Sequence, residues 1–242
     1  MGSQLTMYIT LVCISGILNL YLCVYTFRNR HKYSNIANYF IIYTATIAIY
    51  CFASALCLIS TTLEQIYFWT IILYMGMALS PPLGLLFIMT YLGIKVTLKR
   101  GILLLLLPFT TIIMVATNSW HHLHYRVFEL DPNLGAPYIY QEMGVWYMVH
   151  GMFTFACMLV PFILLISRWK ETAKAYRSQL IALMFGQLLP MITAFLYLMG
   201  FTPAGIDPVP MTLWLPSILY LWSISSSRLF TIMPIAKDTI FN

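Results

Sequence analysis

Residues 33–63 read YSNIANYFIIYTATIAIYCFASALCLISTTL, a run without one charged side chain. A helix needs about 20 apolar residues to cross the hydrocarbon core of a bilayer, so this run is long enough for one crossing. Six more stretches lack Asp, Glu, Lys and Arg: 1–27, 65–94, 101–125, 143–167, 178–206 and 208–227. Each can supply one crossing and none comfortably supplies two. The sequence therefore predicts seven transmembrane helices.

Composition supports a lipid environment for most of the surface. Hydrophobic residues make up 61% of the chain and charged residues 8%, against about 25% charged in an ordinary soluble domain. The apolar runs lack the alternation of outer-membrane barrel strands. The predicted fold is an all-α membrane protein, a bundle of seven transmembrane helices within residues 1–230. Its helices are expected near 4–27, 37–61, 66–94, 101–118, 145–168, 178–200 and 209–228.

The basic residues predict the orientation of this bundle. All of the 13 Lys and Arg residues except Arg126 fall on one side of the predicted membrane. The positive-inside rule assigns that side to the cytosol. We therefore expect a multi-pass protein of the cell (plasma) membrane, with its N-terminus outside and its C-terminus cytosolic. Since the basic residues do not form an aromatic-rich polar segment, the net charge of +6 does not indicate a nucleic-acid partner; the expected surroundings are membrane lipid.

Two features of the predicted bundle suggest an internal space. The connection 119–144 is long for a compact bundle, and such loops are usually functional or mobile; it is a candidate lid over the outer mouth. Proline interrupts three predicted helices, at Pro81-Pro82, Pro190 and Pro216. Each proline removes a backbone donor. The resulting kinks are either ordinary for membrane helices or open a cavity between them.

Polar and aromatic residues cluster in the outer halves of the predicted helices. His150 is the ionisable residue that lies well inside a predicted span, and such residues are costly and often functional. The hypothesis is that an outward-facing pocket for a small molecule is lined by Tyr74, Trp146, Tyr147, His150, Gln187, Tyr197 and Asp207. The alternative is structural: an interfacial aromatic belt at Trp146 and Tyr147, helix–helix hydrogen bonds from His150 and Gln187, and a helix cap at Asp207.

Metal binding and catalysis have weaker support. The group His121, His122 and His124 offers imidazole ligands, but no Cys accompanies it and nearby carboxylates are not aligned by spacing. Phosphate loops, metalloprotease motifs and nucleophile elbows are absent from the sequence. We therefore expect no catalytic residues and no cofactor in this segment.

Short motifs along the second half of the chain carry a resemblance. They are Thr117-Asn118, His121-His122, Gly144 with Trp146-Tyr147, Tyr176-Arg177-Ser178-Gln179, Gly186 through Pro190, Tyr197 through Gly200, Asp207 through Pro210, Arg228-Leu229-Phe230 and Pro234 through Asp238. With them the chain resembles the N-terminal seven-transmembrane sensor region of bacterial histidine kinases, a region that also precedes some diguanylate cyclases. The first half matches in helix count and at Pro82 and Tyr91. Ala194 departs from the family, where many members have Asn.

The resemblance implies a non-catalytic module that senses a small extracytoplasmic molecule and relays the signal through helix 7. Residues 231–242 would link it to a cytosolic kinase or cyclase output domain. The alternative function is a small transporter or channel. A mostly apolar stripe in this tail suits pairing between two copies, and so predicts a homodimer of the full receptor. It consists of Ile232, Ile235, Ala236, Thr239 and Ile240.

Overall fold

The computed structural model describes residues 2–32, 36–172, 174–201 and 206–225. Within these ranges the helices are α1 (Gly2–Arg28), α2 (Ile36–Ile59), α3 (Leu63–Met77), α4 (Ser80–Tyr91), α5 (Leu98–Ala116), α6 (Asn118–His121), α7 (Val145–Ser167), α8 (Arg177–Leu198), α9 (Val209–Thr212) and α10 (Trp214–Ser225). Two strands, β1 (Tyr125–Leu130) and β2 (Ile139–Met143), lie between α6 and α7.

Six helical segments of the described chain are long and apolar enough to cross a membrane. They are Ser3–Arg28, Ile36–Ile59, Leu63–Tyr91, Leu98–Ala116, Val145–Ser167 and Arg177–Leu198. They match the first six predicted helices to within a few residues. The starts of the third and fourth spans differ most, by three residues each; α5 begins at Leu98 and so includes Lys99 and Arg100. Helices α9 and α10 occupy the position predicted for the seventh helix.

Proline explains two breaks in the helices, one within the third span and one between α9 and α10. Helix α3 ends at Met77, and Pro81 and Pro82 lie in the first turn of α4. Proline has no N–H and is compatible with the first turn, where that donor is not used, but it disfavours helical geometry in the residue before it. The interruption therefore falls just before the double proline. Pro216 has the same place in α10, whereas α8 runs through Pro190.

The helices form a closed ring with one helix outside it. Contacts run from α1 to α2, from α2 to both α3 and α4, and then through α4, α7, α8 and α10 back to α1. Helix α5 packs outside this ring against α3 and α7. Aromatic rings fill the centre, where Phe40 lies 5.1 Å from Phe87 and 5.8 Å from Tyr220 between ring centroids.

Buried polar contacts close the ring at its last helix. The Asn19 side-chain amide donates to the Ser217 hydroxyl at 2.8 Å and so joins α1 to α10. The Tyr50 hydroxyl of α2 donates to the Asp207 carboxylate just before α9. Interhelical hydrogen bonds are typical of membrane bundles, where lipid offers polar groups no partner.

The segment between α6 and α7, expected as a long connection, folds as a β-hairpin. Strands β1 and β2 pair antiparallel from Tyr125 opposite Met143 to Leu130 opposite Ile139. At the tip, the Asp131 carboxylate accepts the amides of Asn133 (2.8 Å) and Leu134 (2.9 Å). Charge-free runs locate the helices in the sequence, and residues 126–142 of the hairpin lie between two such runs. These runs therefore give no signal for the strands.

Close approach of α2 and α3 leads to a stability prediction. A Cβ atom on Gly76 would overlap the backbone carbonyl oxygen of Thr46 and the amide nitrogen of Tyr50. Gly76→Ala should therefore destabilise the protein by about 1–3 kcal/mol, because backbone atoms cannot rotate away. The matched control is Gly151→Ala, where a Cβ meets nothing within 4 Å. Thermal unfolding in detergent should show a lower Tm for the first variant alone; equal values would contradict the close approach.

Candidate functional site

A cavity of about 260 Å³ lies within the bundle, on the side where the hairpin joins it. Its walls come from α2, α3, α7 and α8, from the segment leading into α9, and from the hairpin. For comparison, a dry cavity of about 150 Å³ holds benzene. The space is thus adequate for a small organic molecule.

Six of the seven predicted site residues line this cavity: Tyr74, Tyr147, His150, Gln187, Tyr197 and Asp207. Trp146 is the exception. Its indole Nε1 donates to the Thr111 hydroxyl of α5 at 3.1 Å, so this residue ties α7 to the helix outside the ring. The structure thus brings the other six together, while ligand binding by them stays a prediction.

Sequence reasoning missed part of the wall. Tyr43, Tyr50, Tyr125, Phe128 and Tyr138 also line the cavity. Tyrosine is abundant throughout this chain, which has 17, and no spacing rule separated these members from the rest. The hairpin residues could not be assigned to the cavity wall for a further reason, because their position depends on strand pairing.

A buried cluster of aromatic and imidazole groups joins the hairpin to α3 and α7. His124 is fully buried, and its Nε2 lies 2.8 Å from the Tyr74 hydroxyl. That hydroxyl lies 3.0 Å from the hydroxyl of Tyr125. The ring of His150 is 5.9 Å from the Tyr74 ring between centroids, and the ring of Tyr147 is 5.5 Å from that of His124.

Asn118 and Gly144 fix His124 in this cluster. The Asn118 side-chain oxygen accepts the amides of His124 (3.0 Å) and Tyr125 (2.9 Å), and its Nδ2 donates to the Tyr125 carbonyl at 3.0 Å. The Gly144 amide donates to the His124 carbonyl at 2.8 Å. A Cβ on Gly144 would overlap the Leu123 carbonyl oxygen, so glycine permits the close approach.

Two imidazole nitrogens within the described chain have no hydrogen-bond partner. These are Nδ1 of His124 and Nδ1 of His150, both buried. On its other nitrogen, His150 has a long contact of 3.5 Å to the Thr154 hydroxyl. An unmade hydrogen bond of a buried group costs about 1–3 kcal/mol. His150 lines the cavity.

Gln187 and Asp207 connect the cavity to the last helix. Gln187 follows Gly186 on α8, and the Tyr220 hydroxyl of α10 packs against Gly186, where it has no hydrogen-bond partner among the described residues. The Asp207 carboxylate accepts the Val209 amide at 2.9 Å as well as the Tyr50 hydroxyl. Asp207 thus caps the start of α9, as the structural alternative proposed, and it also lines the cavity. Burial raises the pKa of this carboxyl above its usual range, while the two hydrogen bonds oppose the rise.

The hairpin covers one side of the cavity and is anchored across it. The Gln141 side-chain amide of β2 donates to the Tyr197 hydroxyl of α8 at 2.6 Å. Together with the His124 cluster, this bond holds the hairpin to helices on two sides. That position fits the expected lid, whose movement stays a prediction.

The three neighbouring histidines do not converge. His121 contacts the Thr117 hydroxyl at 3.1 Å and accepts the Leu123 amide at 2.9 Å, while His122 is exposed in a left-handed conformation. His124 points into the buried cluster instead. Across the described ranges, no group of three or more His, Cys, Asp or Glu side chains is arranged to hold a metal ion.

Comparison with known families assigns this architecture. The model of the N-terminal 7TM region of histidine kinase matches residues 11–234, and the chain belongs to that family. It is therefore the seven-transmembrane sensor region of a histidine kinase, a membrane segment distinct from the catalytic part. The resemblance and the seven-helix membrane fold expected from the sequence are confirmed. No curated protein matches the chain.

Docking of the hairpin should depend on pH through His124. Burial, and then the nearby His150 and His121, lower the pKa of His124 to about 3, against about 6.5 for an exposed histidine. Between about pH 3 and about pH 6.5, His124 therefore binds a proton more readily when the hairpin is detached from the helices than when it is docked. Docking is strongest above pH 6.5 and should weaken by on the order of 2 kcal/mol at pH 5.

Hydrogen exchange of residues 125–143, corrected for the intrinsic rate, measures this effect at pH 7 and pH 5. Wild-type protein and the exposed control His122→Gln should lose protection at pH 5. His124→Gln, which does not titrate, should lose much less. Equal losses in all three proteins would show that His124 does not govern docking.

Proposed function

We propose that this sensor region detects a small molecule in the cavity between α2, α3, α7, α8 and the hairpin. The observation that carries the proposal is the convergence there of six residues from four separate segments, with an unpartnered Nδ1 on His150. Small-molecule sites commonly combine apolar and aromatic walls with a few placed polar groups. This cavity has that composition.

The molecule is proposed to enter from outside the cell. Apart from Arg126 on β1, the basic residues of the described chain end or follow α1, follow α4 and α7, or lie at the start of α5 and α8. Because successive spans alternate in direction, these positions share one end of the bundle, and the hairpin lies at the other. The positive-inside rule gives the basic end to the cytosol. The cavity, beside the hairpin, then belongs to the extracytoplasmic half.

The proposed relay runs through the last helix. Two cavity residues lie next to it in the chain or in space: Gln187 follows Gly186 on α8, which packs against α10, and Asp207 precedes α9. The Tyr220 hydroxyl also occupies the space where a Cβ of Gly186 would stand. Because this contact is so close, α8 and α10 have few intermediate positions relative to each other. We therefore expect two alternative packing arrangements of these helices. A ligand changes their populations by binding one of them more tightly.

A homodimer of the full receptor is proposed to receive this change. The predicted pairing stripe, Ile232 through Ile240, lies outside the described residues. Its support is the sequence pattern alone. Dimerisation would bring the ends of the two copies of helix 7 side by side. A displacement of helix 7 would then change the arrangement of the two output domains that follow.

His150 provides the test of the binding site. A thermal-shift screen of a metabolite library, with the protein in lipid nanodiscs, would identify binding compounds. His150→Ala should weaken their affinity by roughly 5- to 150-fold, equivalent to about 1–3 kcal/mol for a lost buried hydrogen bond. The control Met152→Ala removes a side chain on the same helix that is 68% exposed. Binding that is unchanged in His150→Ala, or weakened equally in both variants, would contradict this site.

A further inference from the structure

The cavity wall has a pronounced charge bias. Among the described residues that line it, Asp207 is the one formally charged side chain, and no Lys or Arg is present. The bundle carries an excess of basic residues overall, yet none contributes to this wall. A carboxylate or phosphate on a ligand would meet no counter-ion here, and burying an unpaired anion is strongly unfavourable.

Asp207 retains unused capacity for hydrogen bonds. An ionised carboxylate offers about four acceptor sites, and two are taken, by the Tyr50 hydroxyl and the Val209 amide. The described part of the chain has one ion pair, between Arg168 and Glu171, so Asp207 has no cationic partner there. A charge in this position is costly unless something positive accompanies it.

Aromatic rings surround the rest of the space. Seven tyrosines and two phenylalanines line the cavity: Tyr43, Tyr50, Tyr74, Tyr125, Tyr138, Tyr147, Tyr197, Phe128 and Phe155. Tyr147 and Tyr197 lie close enough to Asp207 for its charge to act on them. The negative faces of such rings attract organic cations, and aromatic cages are a recurrent solution for ammonium groups.

We propose that the ligand of this cavity is a small organic ammonium ion, held by the Asp207 carboxylate and the surrounding tyrosine faces. This inference rests on the proposed function and specifies the chemistry of its ligand. His150 also lines the cavity, and its Nδ1 has no hydrogen-bond partner among the described residues. A neutral imidazole nitrogen can accept an N–H from a protonated amine, or donate to a hydroxyl on the same molecule.

The cavity favours an ion over its neutral isostere through two interactions. A neutral molecule of the same shape fills the same apolar volume but leaves Asp207 without a counter-ion. The ammonium ion gains both the charge pair and the attraction of the rings, which is strengthened where water is excluded. We expect a preference of about tenfold or more for the ion.

Matched probes test this preference in nanodisc-embedded protein. Choline pairs with 3,3-dimethyl-1-butanol, and 2-phenylethylammonium pairs with 2-phenylethanol; phenylacetate serves as the anion. Thermal shift and calorimetry should show that at least one ammonium probe binds, at least about tenfold more tightly than its neutral partner. Phenylacetate should not bind.

Two variants assign the preference to the named groups. In Asp207→Asn the preference for the ammonium probe should fall to about twofold or less, while in Glu129→Gln it should be unchanged. Glu129 is exposed on β1, so its variant removes an equal charge away from the cavity. If Asp207→Asn does not fold, Tyr147→Leu removes one aromatic face and keeps the carboxylate; the preference should then fall about threefold.

The outcomes separate this inference from the proposed function. Neutral probes that bind as tightly as their ammonium partners would overturn the ammonium assignment and leave the cavity as a binding site. An ammonium preference that persists in Asp207→Asn, or in Tyr147→Leu where the first variant fails to fold, would also overturn it. Absence of binding by every ammonium probe would overturn it as well. If no compound of the metabolite library binds the wild-type protein either, the proposed function is contradicted as well.

Discussion

The structure depends on one constraint: polar groups inside a membrane bundle have to find their partners within the protein, because lipid offers none. Most do so locally, as where the Thr44 hydroxyl donates to the Phe40 carbonyl one turn back. A smaller set reaches across helices, and these bonds hold the ring together. Asn19 with Ser217 and Tyr50 with Asp207 both involve the last helix or its start. These polar contacts join the seventh helix to α1 and α2, beside its apolar packing through Leu213 and Tyr220.

The same constraint gives the hairpin its importance. Without it, the Tyr74 hydroxyl would face an open end of the bundle. With it, His124 and Tyr125 enter from outside the helices and meet that hydroxyl at 2.8 and 3.0 Å. Asn118 and Gly144 hold this entry with backbone hydrogen bonds on both sides of the pair. Two imidazole nitrogens remain without a hydrogen-bond partner in the cluster.

The sequence was sufficient for the membrane helices and for much of the site. Charge-free runs identify the spans because crossing length is set by bilayer thickness, a purely physical requirement. His150 and Gln187 stood out because polar side chains are rare in such runs. The family assignment followed from short motifs, among them Asn118 and Gly144, whose structural role is to seat the hairpin. By contrast, the burial of His124 depends on the pairing of two strands that are distant in sequence. Its neighbours His121 and His122 made the three histidines look like an exposed cluster. Trp146 was misplaced for a similar reason, since α5 packs outside the ring and draws the indole toward Thr111.

We propose that the cavity beneath the hairpin is the place where the signal is received. The most direct measurement is a structure of the full receptor purified from the membranes in which it signals, at a resolution that shows side chains. We expect non-protein density bounded by Tyr74, His150, Gln187 and Asp207, in contact with the His150 ring. A cavity that is collapsed, or filled by the protein's own side chains, both with and without the stimulus, would contradict it.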